Sequence, residues 1–198
     1  MSKSFLRSFF ILLLLSSAFI ACSTHAPTLR ERPDRWAKAV VTKPIVNNLF
    51  MVDNHLYRSG QPTKENFVTL YKNLGVRNVL SLRAFHDDKE VMGSLRFHYK
   101  RIPINTSKMS YRELVEAVAF ILHAKGKTLV HCLHGSDRTG TVVAGYRIAA
   151  QGWSKEAATD EFEFGGYGYH SLWFPNLPKL LLTLDEKKFR QDVLHYRK

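Results

Sequence analysis

One short stretch constrains this chain more than any other. A β-rich run of Thr128, Leu129 and Val130 ends in His131-Cys132, and five residues later Arg138-Thr139-Gly140 opens a helical pattern that continues to Gln151. A buried strand must therefore pass the backbone through a tight loop into a helix. Such a loop lies at a helix N-terminus, where unpaired N–H groups and the helix dipole attract anions. Five intervening residues let the backbone curl with its N–H groups facing inward. Leu133, His134, Gly135, Ser136 and Asp137 are therefore candidate phosphate-binding positions, together with Arg138.

The same donors and the neighbouring guanidinium favour an anionic sulfur, which makes Cys132 the candidate nucleophile. Arg138 presents a planar fork that can grip two phosphate oxygens, a geometry lysine lacks. Thr139 is placed to donate its hydroxyl to the sulfur when water cleaves a phosphocysteine, and His131 reads as a brace for the loop. A buried cysteine ending a core strand would account for Cys132 but not for Gly135, Arg138, Thr139 and Gly140.

The rest of the chain alternates strands and helices. Residues 49–52 and 55–58 read as short strands, and Thr63 can cap a helix carrying Phe67, Leu70, Tyr71 and Leu74 on one face, closed by Gly75. Residues 76–82 and 97–104 read as strands, and Ser110 with Glu113 forms a capping box for a helix through Leu114, Val118, Ile121 and Leu122. After the loop helix come Gly152, a helix from near Ser154, a turn at Gly165-Gly166-Tyr167-Gly168 and a last helix from Pro178. This order predicts an α/β fold in one domain, a central mostly parallel sheet flanked by helices, with the loop at the carboxyl end of a strand.

At the N-terminus, Lys3 and Arg7 precede an apolar run from Phe9 to Ile20, which suits a signal peptide over residues 1–21. Ala18-Phe19-Ile20-Ala21-Cys22 resembles a lipobox, with phenylalanine where leucine is usual, so Cys22 is the candidate lipidation site. The expected location is the bacterial cell envelope, lipid-anchored and facing the periplasm. Ser23 is compatible with the outer membrane, and secretion into the periplasm is the alternative. Residues 22–46 read as a polar tether and 47–198 as the catalytic domain. The two cysteines of the chain are both used by these roles, so no disulfide is expected. With 29 basic and 17 acidic residues, net +12, the surface favours anionic partners. A phosphorylated substrate or an acidic lipid surface fits, and no nucleic-acid motif appears. The expectation is a monomer with no metal and no cofactor, since no histidine pair has zincin-like spacing.

Residues 131–140, with Tyr57-Arg58-Ser59-Gly60-Gln61-Pro62, Val79-Leu80-Ser81-Leu82-Arg83 and residues 146–154, resemble the cysteine-dependent protein tyrosine phosphatase superfamily, in particular bacterial members of its dual-specificity-like branch. The resemblance implies hydrolysis of phosphomonoesters through a phosphocysteine. Its substrates would be phosphotyrosine, phosphoserine or phosphothreonine proteins, or phosphoinositides and inositol phosphates. Dual-specificity enzymes often protonate the leaving oxygen with an aspartate from the loop before the last helix preceding the signature. This chain reads Asn105-Thr106-Ser107-Lys108-Met109-Ser110 there. Asp87, Asp88 and Asp137 remain as candidate acids; the resemblance favours Asp88, with Asp137 orienting Arg138 or the attacking water and His134 and His170 as weaker candidates. The missing loop aspartate keeps open a catalytically weak, phosphate-binding pseudophosphatase. Tyr99, Lys100, Arg101, Lys108 and Tyr167 are candidates to line the substrate pocket.

Overall fold

The computed structural model describes residues 32–196, so the expected signal peptide and Cys22 lie outside the described residues. The elements in chain order are β1 (Lys38–Ala39), β2 (Phe50–Met51), β3 (Leu56–Ser59), α1 (Lys64–Lys72), β4 (Val76–Ser81), α2 (Lys89–Met92) and β5 (His98–Arg101). A 3₁₀ turn (Thr106–Lys108) follows, then α3 (Tyr111–His123), β6 (Lys127–His131), α4 (Asp137–Gln151), α5 (Lys155–Phe164), α6 (Asn176–Leu182) and α7 (Glu186–His195).

The strands form one sheet in the order β1-β2-β3-β6-β4-β5. β3, β6, β4 and β5 are parallel, and β2 and β1 add an antiparallel edge. Successive residues of a strand face opposite sides of a sheet. Accordingly Leu56, Leu80 and Val130 enter a core with α3 to α7, while Tyr57, Val79 and Leu129 enter a second core with Phe67 and Leu70 of α1. Both faces are thus covered, as parallel strands require, and β6 delivers Cys132 from the middle of the sheet.

The caps follow the side chains. Thr63 accepts from the Asn66 N–H and Asn66 returns a bond to Thr63, and Ser110 and Glu113 form the same reciprocal pair on α3. Three details differ from the sequence reading. The loop helix starts at Asp137, so Asp137 and Arg138 lie in its first turn. The last helix is two, because the Asp185 side chain accepts from the Lys188 N–H and restarts the chain as α7. The tether expected over 22–46 is part of the fold from at least residue 32. Trp36 and Ala37 are buried, the Ala37 N–H donates to Glu161 Oε1 at 2.7 Å, and Arg32 donates to the Tyr167 hydroxyl at 2.9 Å. Among the described residues no helix is long and apolar enough to cross a membrane.

Candidate active site

Between β6 and α4 the chain turns back over Cys132, which is buried. Gly135 makes this turn at φ +77°, and the Gly135 N–H donates to Cys132 Sγ at 3.3 Å. A Cβ on Gly135 would lie 2.6 Å from the Ser59 carbonyl and the Gly60 nitrogen, so both the conformation and the close approach of β3 require glycine.

The floor beneath this loop is charged and buried. Arg58 of β3 is fully buried, donates to the Gly135 carbonyl at 2.7 Å and lies 3.6 Å from the centre of the Tyr167 ring. Burial pulls its guanidinium down to about 10, against the pull of Tyr167, Glu161 and Cys132, so it remains charged at neutral pH. Tyr167 donates to Glu161, which is held bidentate by Arg147 at 2.7 and 2.9 Å. Ser136 Oγ donates to the Tyr167 carbonyl at 2.7 Å, and the Leu133 carbonyl accepts from the Gln61 N–H at 2.9 Å. The loop is therefore fixed by contacts from β3 and from the turn after α5.

Arg138 Nη1 donates to the carbonyls of Leu82 and Ile104 at 3.0 and 3.4 Å. Its Nε is buried and has no hydrogen-bond partner among the described residues, and the same holds for Thr139 Oγ1. Buried donors are nearly always satisfied. Arg58 Nε and Nη1 are likewise unpartnered beneath the loop. Donors of two arginines and a threonine thus stand unsatisfied in the loop and its floor, where the Gly135 N–H already points at the sulfur, a set complementary to a tetrahedral oxyanion. An open cavity of about 280 Å³ borders the loop at Leu133 and Arg138, walled also by Arg83, Phe85, Ile104 and Asn105 among others.

Asp88, the expected acid, does not face this cavity. It is completely buried, with His131 Nε2 at 3.2 Å, Gln61 Nε2 at 2.6 Å and the Tyr99 hydroxyl at 3.4 Å from its oxygens. Burial by itself would raise its pKa, but the hydrogen bond and charge of His131, with the bond from Gln61, outweigh it and hold the carboxyl well below the usual carboxylate range. An ionised carboxylate with no proton, enclosed on all sides, is no acid for a leaving group. It anchors His131, whose Nδ1 lies 3.3 Å from the Cys132 carbonyl. Gln61 extends this network to the cavity wall by accepting from Arg83 at 2.6 Å.

Asp137 does not reach for Arg138. Its carboxylate accepts the His170 N–H at 3.0 Å and pairs with His170 Nδ1 at 2.9 Å, tying the turn after α5 to the loop. Asp87 is exposed and accepts from the Lys89 N–H. Among the described residues one grouping offers metal-ligand atoms, His134, Asp137 and His170, all within 4.8 Å of one another.

The expected pocket-lining residues take other posts. Tyr167 is buried beneath the loop, Tyr99 reaches Asp88, and Lys100 pairs with Glu116 at 2.8 Å. Lys108 ends the 3₁₀ turn and Arg101 reaches the His86 carbonyl at 3.3 Å. The sequence reading assigned no role in the site to Arg58, Gln61, Arg83, Phe85 or Asn105. Arg58 is a guanidinium in a strand, Leu56–Ser59, that is buried along its whole length.

The sequence model of the tyrosine phosphatase family matches residues 45–167. The dual specificity protein phosphatase TpbA of Pseudomonas aeruginosa (strain UCBPP-PA14) is 34% identical over 157 residues, covering 78% of this chain and 68% of the relative. The crystal structure of P. aeruginosa TpbA is similar with a TM-score of 0.72 at 29% identity, covering 82% of this chain and 98% of that one. A cysteine-to-serine form of TpbA in complex with phosphotyrosine is similar with a TM-score of 0.73 at 28% identity, over 83% and 99% of the two chains. The core catalytic domain of the PP-IP phosphatase SIW14 from S. cerevisiae shares the fold, with a TM-score of 0.61 at 23% identity over 74% and 90%.

Proposed function

This chain belongs to the tyrosine phosphatase family, and we propose that it removes phosphate from phosphotyrosine-bearing protein at the bacterial cell envelope. It is a cysteine-dependent phosphatase. The observation that carries the chemistry is the pair of buried, unpartnered donors, Arg138 Nε and Thr139 Oγ1, at the start of the helix that follows the Cys132 loop. Cys132 Sγ attacks phosphorus, and Arg138 with the loop N–H groups holds the oxygens as charge spreads over them. Water then cleaves the phosphocysteine, with the Thr139 hydroxyl donating to the departing sulfur. The phosphotyrosine complex of TpbA supports an aromatic phosphoester as the first substrate to try. Phosphotyrosine peptides should be turned over, with inhibition by vanadate and none by chelators. Binding without turnover would indicate the pseudophosphatase instead.

The location rests on the apolar run from Phe9 to Ile20 and on Ala21-Cys22. A lipid at Cys22 would hold the domain at the periplasmic membrane surface. Cys22→Ala should lose palmitate labelling and a lipoprotein signal peptidase inhibitor should cause the unprocessed chain to accumulate; persistent labelling would overturn this anchoring.

A further inference from the structure

Building on the phosphatase reading, we infer that this enzyme selects phosphates whose leaving oxygen is stable without a proton, phenolic esters or phosphoanhydrides, over aliphatic esters. The residues walling the cavity supply two guanidiniums, Arg83 and Arg138, and the apolar side chains of Phe85, Ile104 and Leu133, but no carboxylic acid. Asn105 stands in that wall. Its Oδ1 accepts from the Ser107 N–H at 3.1 Å, capping the 3₁₀ turn, so the group left for a substrate is an amide that donates a hydrogen bond and transfers no proton.

The aspartates nearby are committed elsewhere. Asp88 is buried and ionised against His131, and Asp137 is paired with His170. Asp87 is exposed, with its carboxylate on the Lys89 N–H and outside the cavity wall. With neither a carboxylic acid nor an imidazole among the residues walling the cavity, the leaving group must carry its own charge. A phenol, with a pKa of ~10, does so far better than an aliphatic alcohol. Phe85, fully exposed at the rim, offers a flat apolar contact to such a ring.

The cycle closes without a side-chain acid. As the S–P bond forms, the P–O bond breaks and its electron pair departs on the leaving oxygen as phenolate or phosphate. Water next forms a new P–O bond, the S–P pair returns to Cys132 as thiolate, and both water protons stay on the released phosphate.

The test is a leaving-group series on the mature protein: p-nitrophenyl phosphate, phenyl phosphate, a phosphotyrosine peptide, a phosphoserine peptide and pyrophosphate. The expected result is a steep dependence of kcat/KM on leaving-group pKa, with phosphoserine slower than p-nitrophenyl phosphate by at least the ~10²–10⁴-fold that a general acid contributes. The phosphotyrosine and pyrophosphate arms separate the two leaving-group types. Asn105→Asp keeps an equally good capping residue. It should flatten the slope, accelerating phenyl phosphate by up to ~10²-fold and adding a basic limb to the pH profile. Asp87→Asn should leave the slope unchanged. Phosphoserine turnover within ~10-fold of p-nitrophenyl phosphate in the wild type would overturn the inference. So would a slope that steepens only in Asp87→Asn, because Asp87 would then be the acid. No turnover of p-nitrophenyl phosphate would instead overturn the phosphatase reading itself.

Discussion

The two sides of the active loop are built to different standards. Beneath it, Arg58, His131, Asp88, Tyr167, Glu161 and Arg147 form buried, largely charge-assisted contacts that reach the loop at the Gly135 carbonyl and the Ser136 hydroxyl. Above it, Phe85 is fully exposed, Leu133 is partly so, and Asn105 supplies an amide where an acid would serve. Charge-assisted bonds in a low-dielectric interior are worth more than the same groups at a surface. The protein has therefore invested rigidity in holding the phosphoryl group and left the leaving group to the substrate's own chemistry.

Substitutions on the two sides should separate cleanly. The largest effect is Cys132→Ser, which should abolish turnover while a phosphotyrosine peptide still binds, measured by steady-state kinetics and by calorimetry. Next, Arg138→Lys should lower kcat by ~10²–10³-fold and weaken inorganic phosphate binding, with thermal stability nearly unchanged. Arg58→Met removes the bond to the Gly135 carbonyl and the contact with Tyr167. It should cost about 2 kcal/mol in denaturant unfolding and slow every substrate by the same factor.

Asp88→Asn should cost a similar or smaller amount, about 2 kcal/mol, with rates falling equally across leaving groups. A loss confined to poor leaving groups would show Asp88 acting as the acid. Its pH dependence has a definite sign. Because the folded chain holds the Asp88 carboxyl below its ordinary value, the stability it contributes is present above the unfolded pKa of ~3.9 and fades as pH falls below it. The variant should therefore lose more stability at pH 6 than at pH 3. The smallest effect is Phe85→Ala, which should raise KM for aryl substrates roughly fivefold, about 1 kcal/mol, without altering unfolding.

The strand, loop and helix around Cys132 could be read from sequence because their determinants are local: a β-rich run, a five-residue spacing and a helical period. The parallel sheet followed from the alternation of strands with capped helices. What escaped depends on distant pairings. Arg58 meets Gly135 across 77 positions, which no local pattern records. Asp88 sits in Phe85-His86-Asp87-Asp88-Lys89, a composition typical of a solvated loop, yet its contact with His131 carries it into the interior. The division of the last helix was hidden because the apolar run Leu180-Leu181-Leu182 is followed closely by Leu184, so the Asp185 cap did not stand out. The polar character of residues 22–46 likewise masked Trp36, whose burial begins the domain earlier.

The central claim is that phosphate passes through Cys132. Rapidly quenched enzyme, mixed for milliseconds with a phosphotyrosine peptide and digested, should show a phosphate mass increment on the peptide containing Cys132, absent in Cys132→Ser. Full turnover with no phosphate on that peptide, or an increment on another residue that survives in Cys132→Ser, would contradict the account.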